Sequence, residues 1–138
     1  MIFSDIYSAI IKRYVDAGEF GLDTIYPNKD RRPTGGREHA RIWYMPNGVS
    51  APGVGRQGYD EHQGLVQIDL AYPTNEGIGE MMEKADEIAR HFQSGVRAEY
   101  NGQDVVVRGS EISPPINEDG WIKASVTIDY SAYVRRTL

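Results

Sequence analysis

Apolar residues recur along the chain at two periods, and the two alternate. Near the N-terminus Phe3, Ile6, Ile10 and Tyr14 repeat every three or four positions, which puts them on one face of a helix. Ser4 suits the N-cap, Asp5 the positive first turn, and Gly18 the C-terminal stop. Leu22 to Tyr26 reads as a short strand closed by Pro27, and Asn28 to Glu38 as a polar loop. His39 to Met45 then switches to period two, with Ala40, Ile42 and Tyr44 facing one way and Arg41, Trp43 and Met45 the other. From Met45 to Gln63 the glycines and prolines leave no periodicity, so this stretch is expected to be a long irregular loop. Leu65 to Tyr72 alternates again, with Val66, Ile68, Leu70 and Tyr72 opposite Gln67 and Asp69.

The strongest helical pattern runs from Ile78 to Phe92. Ile78, Met81, Met82, Ala85, Ile88, Ala89 and Phe92 form one stripe, backed by Glu80, Glu83, Lys84, Asp86, Glu87 and Arg90. Glu80–Lys84 and Asp86–Arg90 have the spacing of favourable pairs. Beyond Gly95, Val96–Tyr100 and Val105–Ile112 flank Asn101–Gly102, a hairpin signal. After a loop through Ser113, Pro114 and Pro115, Trp121–Val134 reads as one long strand, expected to be bent or bulged, with Ile122, Ala124, Val126, Ile128 and Tyr130 on one side. Two helices among mostly hairpin-linked strands predict an α+β fold: a single domain with a mostly antiparallel or mixed sheet and both helices on one face.

Composition narrows the chemistry. The 138 residues suit one domain with one core. Fifteen basic against twenty acidic residues give a net charge of −5, so no overall field draws the chain to nucleic acid or to an anionic membrane. Its apolar runs fall far short of a membrane span, and the N-terminus lacks a basic start followed by an apolar block. With no cysteine there is no disulfide frame, thiolate metal site or cysteine nucleophile, and a cytoplasmic site of synthesis and assembly is expected.

The turn Asn75-Glu76-Gly77-Ile78-Gly79-Glu80 resembles a phosphate cradle because it joins a strand to a helix through glycines. No lysine followed by Ser or Thr comes after it, and no third glycine falls at dinucleotide spacing. Glu76 and Glu80 would repel a phosphate there while favouring the helix dipole. It therefore reads as a helix start, with Thr74 or Asn75 near the cap, and no cofactor is expected. The three histidines are scattered. His91 falls on the polar side of the second helix and His39 opens a strand, while Asp60-Glu61-His62 are neighbours that cannot easily converge on one ion. No metal site and no catalytic group is expected.

Two segments remain as candidate contact surfaces. Lys29, Arg31, Arg32 and Arg37 concentrate positive charge in an acidic chain, either as a solvated loop or as a contact for an acidic partner or nucleic acid. Arg56, Tyr59, Asp60 and Glu61 lie on the glycine-rich stretch, which is of a kind that can order on assembly.

The order of segments resembles a known family. A short helix is followed by a strand ending in Tyr26–Pro27, an Ile-Trp-Tyr strand, a glycine-rich stretch, and "GLVQIDLAYPTNEGIGEMMEKADEIARHF". A hairpin then leads to Asp119-Gly120-Trp121, opening a last strand that ends near Tyr130. This resembles the small tail-terminator, or tail-completion, proteins of long-tailed bacteriophages over nearly the whole chain. The resemblance implies a virion protein that forms a ring, expected as a hexamer, on the head-proximal end of the tail tube. Its implied partners are further copies of itself, the tail-tube protein and the head–tail connector, with DNA passing through without specific binding and no membrane involved. It brings no catalytic residues. Three other readings compete: a head-completion or connector protein, a small nucleotide-handling enzyme, and a DNA-binding module using the Lys29–Arg37 loop.

Overall fold

In the computed structural model, residues 2–29, 37–50, 58–74 and 77–136 are described. The elements are α1 (Ile2–Asp16), a 3-10 turn (Gly18–Gly21), β1 (Asp23–Ile25), β2 (His39–Ser50), β3 (Tyr59–Pro73), α2 (Gly79–His91), β4 (Arg97–Tyr100), β5 (Gln103–Ile112), β6 (Ile116–Glu118) and β7 (Trp121–Arg135). The strands form one sheet in the order β1-β2-β3-β7-β5-β4, with β6 paired to β7. Only β1 runs parallel to its neighbour among the described pairings. The fold is α+β, as the two periods predict.

Register explains the core. On the inner face Ala40, Leu70 and Ala124 fall in one row across β2, β3 and β7; Ile42, Ile68 and Val126 form the next; Tyr44, Val66 and Ile128 the third. Ile6, Ala9, Ile10 and Tyr14 of α1, Met81, Ala85 and Ile88 of α2, and Phe92 just after it close over these rows. Fully burying a side chain of this size contributes roughly 1.5–3 kcal/mol, so the rows and the two helical stripes dominate stability.

Polar contacts then fix the helices relative to each other. The Arg13 guanidinium donates to the His91 carbonyl at 2.9 and 3.1 Å, and His91 Nε2 bonds the Arg13 carbonyl at 3.0 Å. His91 is therefore half-buried between the helices, where a polar surface position was expected. Tyr14 and Thr24 share a buried hydroxyl pair at 2.7 Å that ties α1 to β1; burial pushes the Tyr14 phenol up to about 12. Lys84 donates to the Phe20 carbonyl at 2.8 Å and pairs with Glu87 at 3.3 Å.

Several expectations need correction. The two ends of the stretch from Met45 to Gln63 are strand and not irregular loop: β2 continues to Ser50 and β3 begins at Tyr59, pairing through Ser50↔Glu61 with a bulge between Pro46 and Gly48, while residues 51–57 lie outside the described residues. Phe3 and Ile78, expected on the buried stripes, are 51% and 47% exposed; Phe3 lies within α1 and meets His62 of β3, and Ile78 is the N-cap residue just before α2. Ser4 lies inside α1, which starts at Ile2. Thr74 does not cap α2, because its hydroxyl donates to the Gly120 carbonyl; Asn75 lies outside the described residues. β7 pairs with β3 without a break from Tyr59↔Arg135 to Pro73↔Trp121, and the bulge sits in its other neighbour, between Val107 and Gly109 of β5. β6 was not foreseen. Asp119 and Gly120, both with φ near the left-handed region (53° and 83°), turn it back into β7, as Asn101 and Gly102 turn β4 into β5.

A candidate assembly surface

The helices cover one face of the sheet and leave the other open. On the open side the rows read Arg41–Asp69–Ser125, then Trp43–Gln67–Thr127, then Met45–Leu65–Asp129. Asp69 is the hub. Its carboxylate accepts from Trp43 Nε1 at 2.7 Å, Gln67 Nε2 at 2.7 Å and Ser125 Oγ at 2.6 Å. The Arg41 guanidinium lies over the Trp43 ring, 5.7 Å from its centroid. An indole that is 45% exposed is thus held in one orientation, beside Met45 at 38%.

At the far end of the same face, β3 and β7 carry a second polar group. Tyr133 donates to Glu61 Oε2 at 3.1 Å, and Arg108 approaches the same oxygen at 4.0 Å. That hydrogen bond to the Glu61 carboxylate raises the Tyr133 phenol above its ordinary value. Asp60 faces inward and pairs with Arg136 at 3.3 Å. Tyr59 opens β3, exposed and opposite Arg135. Of the residues singled out in the sequence, Lys29 is exposed just after β1, and Arg37 is exposed just before β2, its carbonyl meeting His39 Nδ1 at 3.1 Å. Arg31, Arg32 and Arg56 lie outside the described residues. The structure adds Asp69, Arg108, Tyr133 and Arg136, and places Trp43, which the sequence leaves open between core and contact surface, 45% exposed. Glu61 and Tyr133 are 72 positions apart, so only the strand order brings them together.

His62 is on β3, not in a solvated loop. It is 8% exposed and meets the Phe3 ring edge-on at 4.9 Å. It borders a cleft of about 340 Å³ between the start of α1 and the β2–β3 arm, whose walls include Ile6, Tyr44, Val49 and Tyr130. Burial lowers the His62 pKa, against a smaller opposing effect of Asp60. The folded chain therefore binds this proton less readily than the unfolded chain, and the contribution is complete above the ordinary histidine value near 6.5. It is lost as pH falls from there toward the lowered value. Urea midpoints taken from pH 7.5 to 5.5 should fall more steeply for the native chain than for His62→Gln; parallel curves would remove this account.

Among the described residues no three histidine or acidic side chains are placed to hold a metal, and no helix is long and apolar enough to cross a membrane. The class defined by these features is a small α+β domain whose preorganised groups lie on an open sheet face. The chain matches the model of a family described as phage tail terminator protein over residues 5–130, and it belongs to that family. One solved structure superposes with a TM-score of 0.74 over 92% of both chains at 22% identity, a likeness of fold. No curated relative matches the chain. The family is one of structural proteins of the phage tail, and a tail structural role follows for this chain.

Proposed function

We propose that the chain forms a ring, a hexamer, that caps the head-proximal end of the tail tube, ends its polymerisation and joins tail to head. The observation that carries this is the family match across 5–130. The chemistry of the described surface is consistent with it, since the preorganised groups sit on a broad face suited to another protein. In this reading the contacts come from the Lys29, Arg31, Arg32 and Arg37 segment and from the arm bearing Arg56, Tyr59, Asp60 and Glu61. Arg31 and Arg32 face acidic groups of a neighbour or of the tube. DNA passes through without being gripped, as the net charge of −5 suits. The nucleotide-enzyme alternative gains no support, since Glu80 is exposed in the first turn of α2, where a phosphate would need to sit.

Light scattering of the purified protein, alone and with its tail-tube protein, tests the proposal. A ring-sized species is expected, at the latest once the tube protein is present, together with arrest of tube growth. A monomer indifferent to tube protein would overturn it, and binding to the portal side instead would move the chain to the connector class.

A further inference from the structure

A cyclic ring of more than two copies needs two different patches on each subunit that fit each other. We propose that one patch is the cleft beneath the β2–β3 arm and that Tyr100 of the next copy fills it; this inference rests on the ring reading above. Phe3, Ile6 and Val49 give the cleft apolar walls, and no Asp, Glu, Lys or Arg lines it. Two hydrogen-bonding groups in it are left over among the described residues. His62 is buried and lines the cleft, yet its ring nitrogens have no hydrogen-bond partner. Tyr44 accepts the Tyr130 O–H at 3.2 Å, and its own proton finds no acceptor. A neutral imidazole keeps one nitrogen as an acceptor, so the two groups together suit an occupant that both donates and accepts. A charged occupant would lose its hydration and meet no counter-charge. A phenol meets every condition, with an apolar ring, no charge, and one hydroxyl that gives a hydrogen bond and takes another. At about 340 Å³ the cleft lies near the small end of ligand pockets, roughly 300–1,000 Å³, and suits one aromatic side chain.

Among the described residues the exposed aromatic side chains with a polar tip are Trp43, Tyr59, Tyr100 and Tyr133. Trp43 has committed its donor to Asp69, and Tyr133 its hydroxyl to Glu61. The hydroxyls of Tyr59 and Tyr100 have no such partner. Tyr59 opens β3 on the arm that bounds the cleft, so a contact through it brings arm against arm. The same patch then serves both copies, and such a pair stops at two. Tyr100 is on the other side of the sheet, 44% exposed at the end of the edge strand β4 and next to the Asn101–Gly102 turn. Its height along the strands is fixed by register. Gln103 pairs with Tyr100, its amide donates to the Tyr133 carbonyl at 3.2 Å, and Tyr133 pairs with Glu61, the neighbour of His62. Tyr100 and the cleft therefore stand at nearly one level, on opposite sides of the sheet. Past Arg41 no described strand flanks the outer side of β2, which leaves the arm side open. Copies that meet side to side at one level are related by rotation with little rise, which closes a ring where a larger rise would build a filament.

The absence of cysteine makes the test direct. Val49→Cys marks the rim of the cleft and Glu99→Cys the hairpin beside Tyr100; both side chains are exposed. The assembled protein, with tube protein if assembly requires it, is treated with a short bismaleimide and run on a denaturing gel. The double variant is expected to give a ladder reaching the full copy number of the ring, while each single variant stays a monomer band. Asn47→Cys probes the same rim should Val49→Cys fail to fold. In parallel, Tyr100→Ala should raise the concentration for half-assembly roughly ten- to a hundred-fold, in the range of a lost hot spot. Tyr100→Phe keeps the ring and loses the hydroxyl, so it should cost about two- to ten-fold. Urea midpoints of both Tyr100 variants should stay at the native value, which separates a lost contact from a lost fold. A dimer from Val49→Cys alone would mean arm-to-arm packing and overturn the proposal. So would native assembly by Tyr100→Ala, or the lack of a ladder in samples that light scattering shows to be rings; both outcomes leave the ring itself standing. A chain that light scattering finds monomeric with and without tube protein overturns both readings.

Discussion

Gly64→Ala is expected to destabilise the fold by about 1–3 kcal/mol, the range for forcing extra volume into a packed site. Gly64 sits on the inner face of β3, directly opposite Tyr130 of β7 and beside Pro46 of β2. The Tyr130 ring lies across it, stacked on Tyr44 with centroids 6.1 Å apart and the two hydroxyls at 3.2 Å. A Cβ on Gly64 would come within 2.7 Å of Tyr130 Cζ and 2.8 Å of the Met45 carbonyl oxygen, closer than real Cβ contacts. Tyr130 can rotate away only by giving up the Tyr44 stack, and Met45 can move only by disturbing the β2–β3 ladder next to its bulge. Both responses are costly because both groups are backbone or buried. At this chain length the melting temperature should drop on the order of 10 °C. Gly109→Ala is the control: nothing lies within 4 Å of its Cβ position, so its effect should stay within about 0.5 kcal/mol. Equal midpoints for Gly64→Ala and the native chain would sink the packing argument.

Gly64 also shows where the sequence was legible and where it was not. Val66, Ile68 and Leu70 announce β3 because burial on one face imposes period two on side-chain type. Nearer the start of the same strand, from Glu61 to Gly64, pairing with β7 and alternate burial continue, but the inward positions are His62 and Gly64 and not aliphatic residues, so the alternation does not show in composition. Backbone hydrogen bonds hold that part of the ladder whatever the side chains, which is why residues 46–50 and 59–63 read as loop and fold as paired strands. Phe3 and Ile78 are misjudged because periodicity gives the direction of a helical face but not where the helix begins or how fully its ends are covered: both lie at helix starts and stay about half exposed. The charge pairs suggested within α2 were only partly informative, since Lys84 finds a better partner in the Phe20 carbonyl, supplied by a turn 64 positions away. The Asp69 hub had no local sign beyond an acid among strand residues. Its three donors come from β2, β3 and β7, and only the register makes them neighbours.

Asp69→Ala therefore carries the second large expectation, about 2 kcal/mol of lost stability together with a weakened assembly. Removing the carboxylate leaves Trp43 Nε1, Gln67 Nε2 and Ser125 Oγ without their common acceptor. The face is open, so water satisfies part of the deficit and keeps the stability loss moderate. What water cannot restore is the fixed indole: Trp43 gains rotameric freedom that a partner must then remove. If Trp43 anchors the ring contact, the concentration for half-assembly should rise roughly ten- to a hundred-fold, in the range of a lost hot spot. Asp69→Asn separates the two effects. Its single carbonyl oxygen can keep the Trp43 bond, while the amide group turns toward Gln67 and Ser125, which can both switch to accepting. Asn should therefore lose some stability yet retain most of the assembly, and Ala should lose both. In a Trp121→Phe background, which leaves Trp43 as the sole indole, emission reports the anchor, with a red shift and broader rotamer averaging expected in Ala only. Native assembly by the Ala variant, with its emission plainly altered, would show that a fixed Trp43 is not what the partner reads.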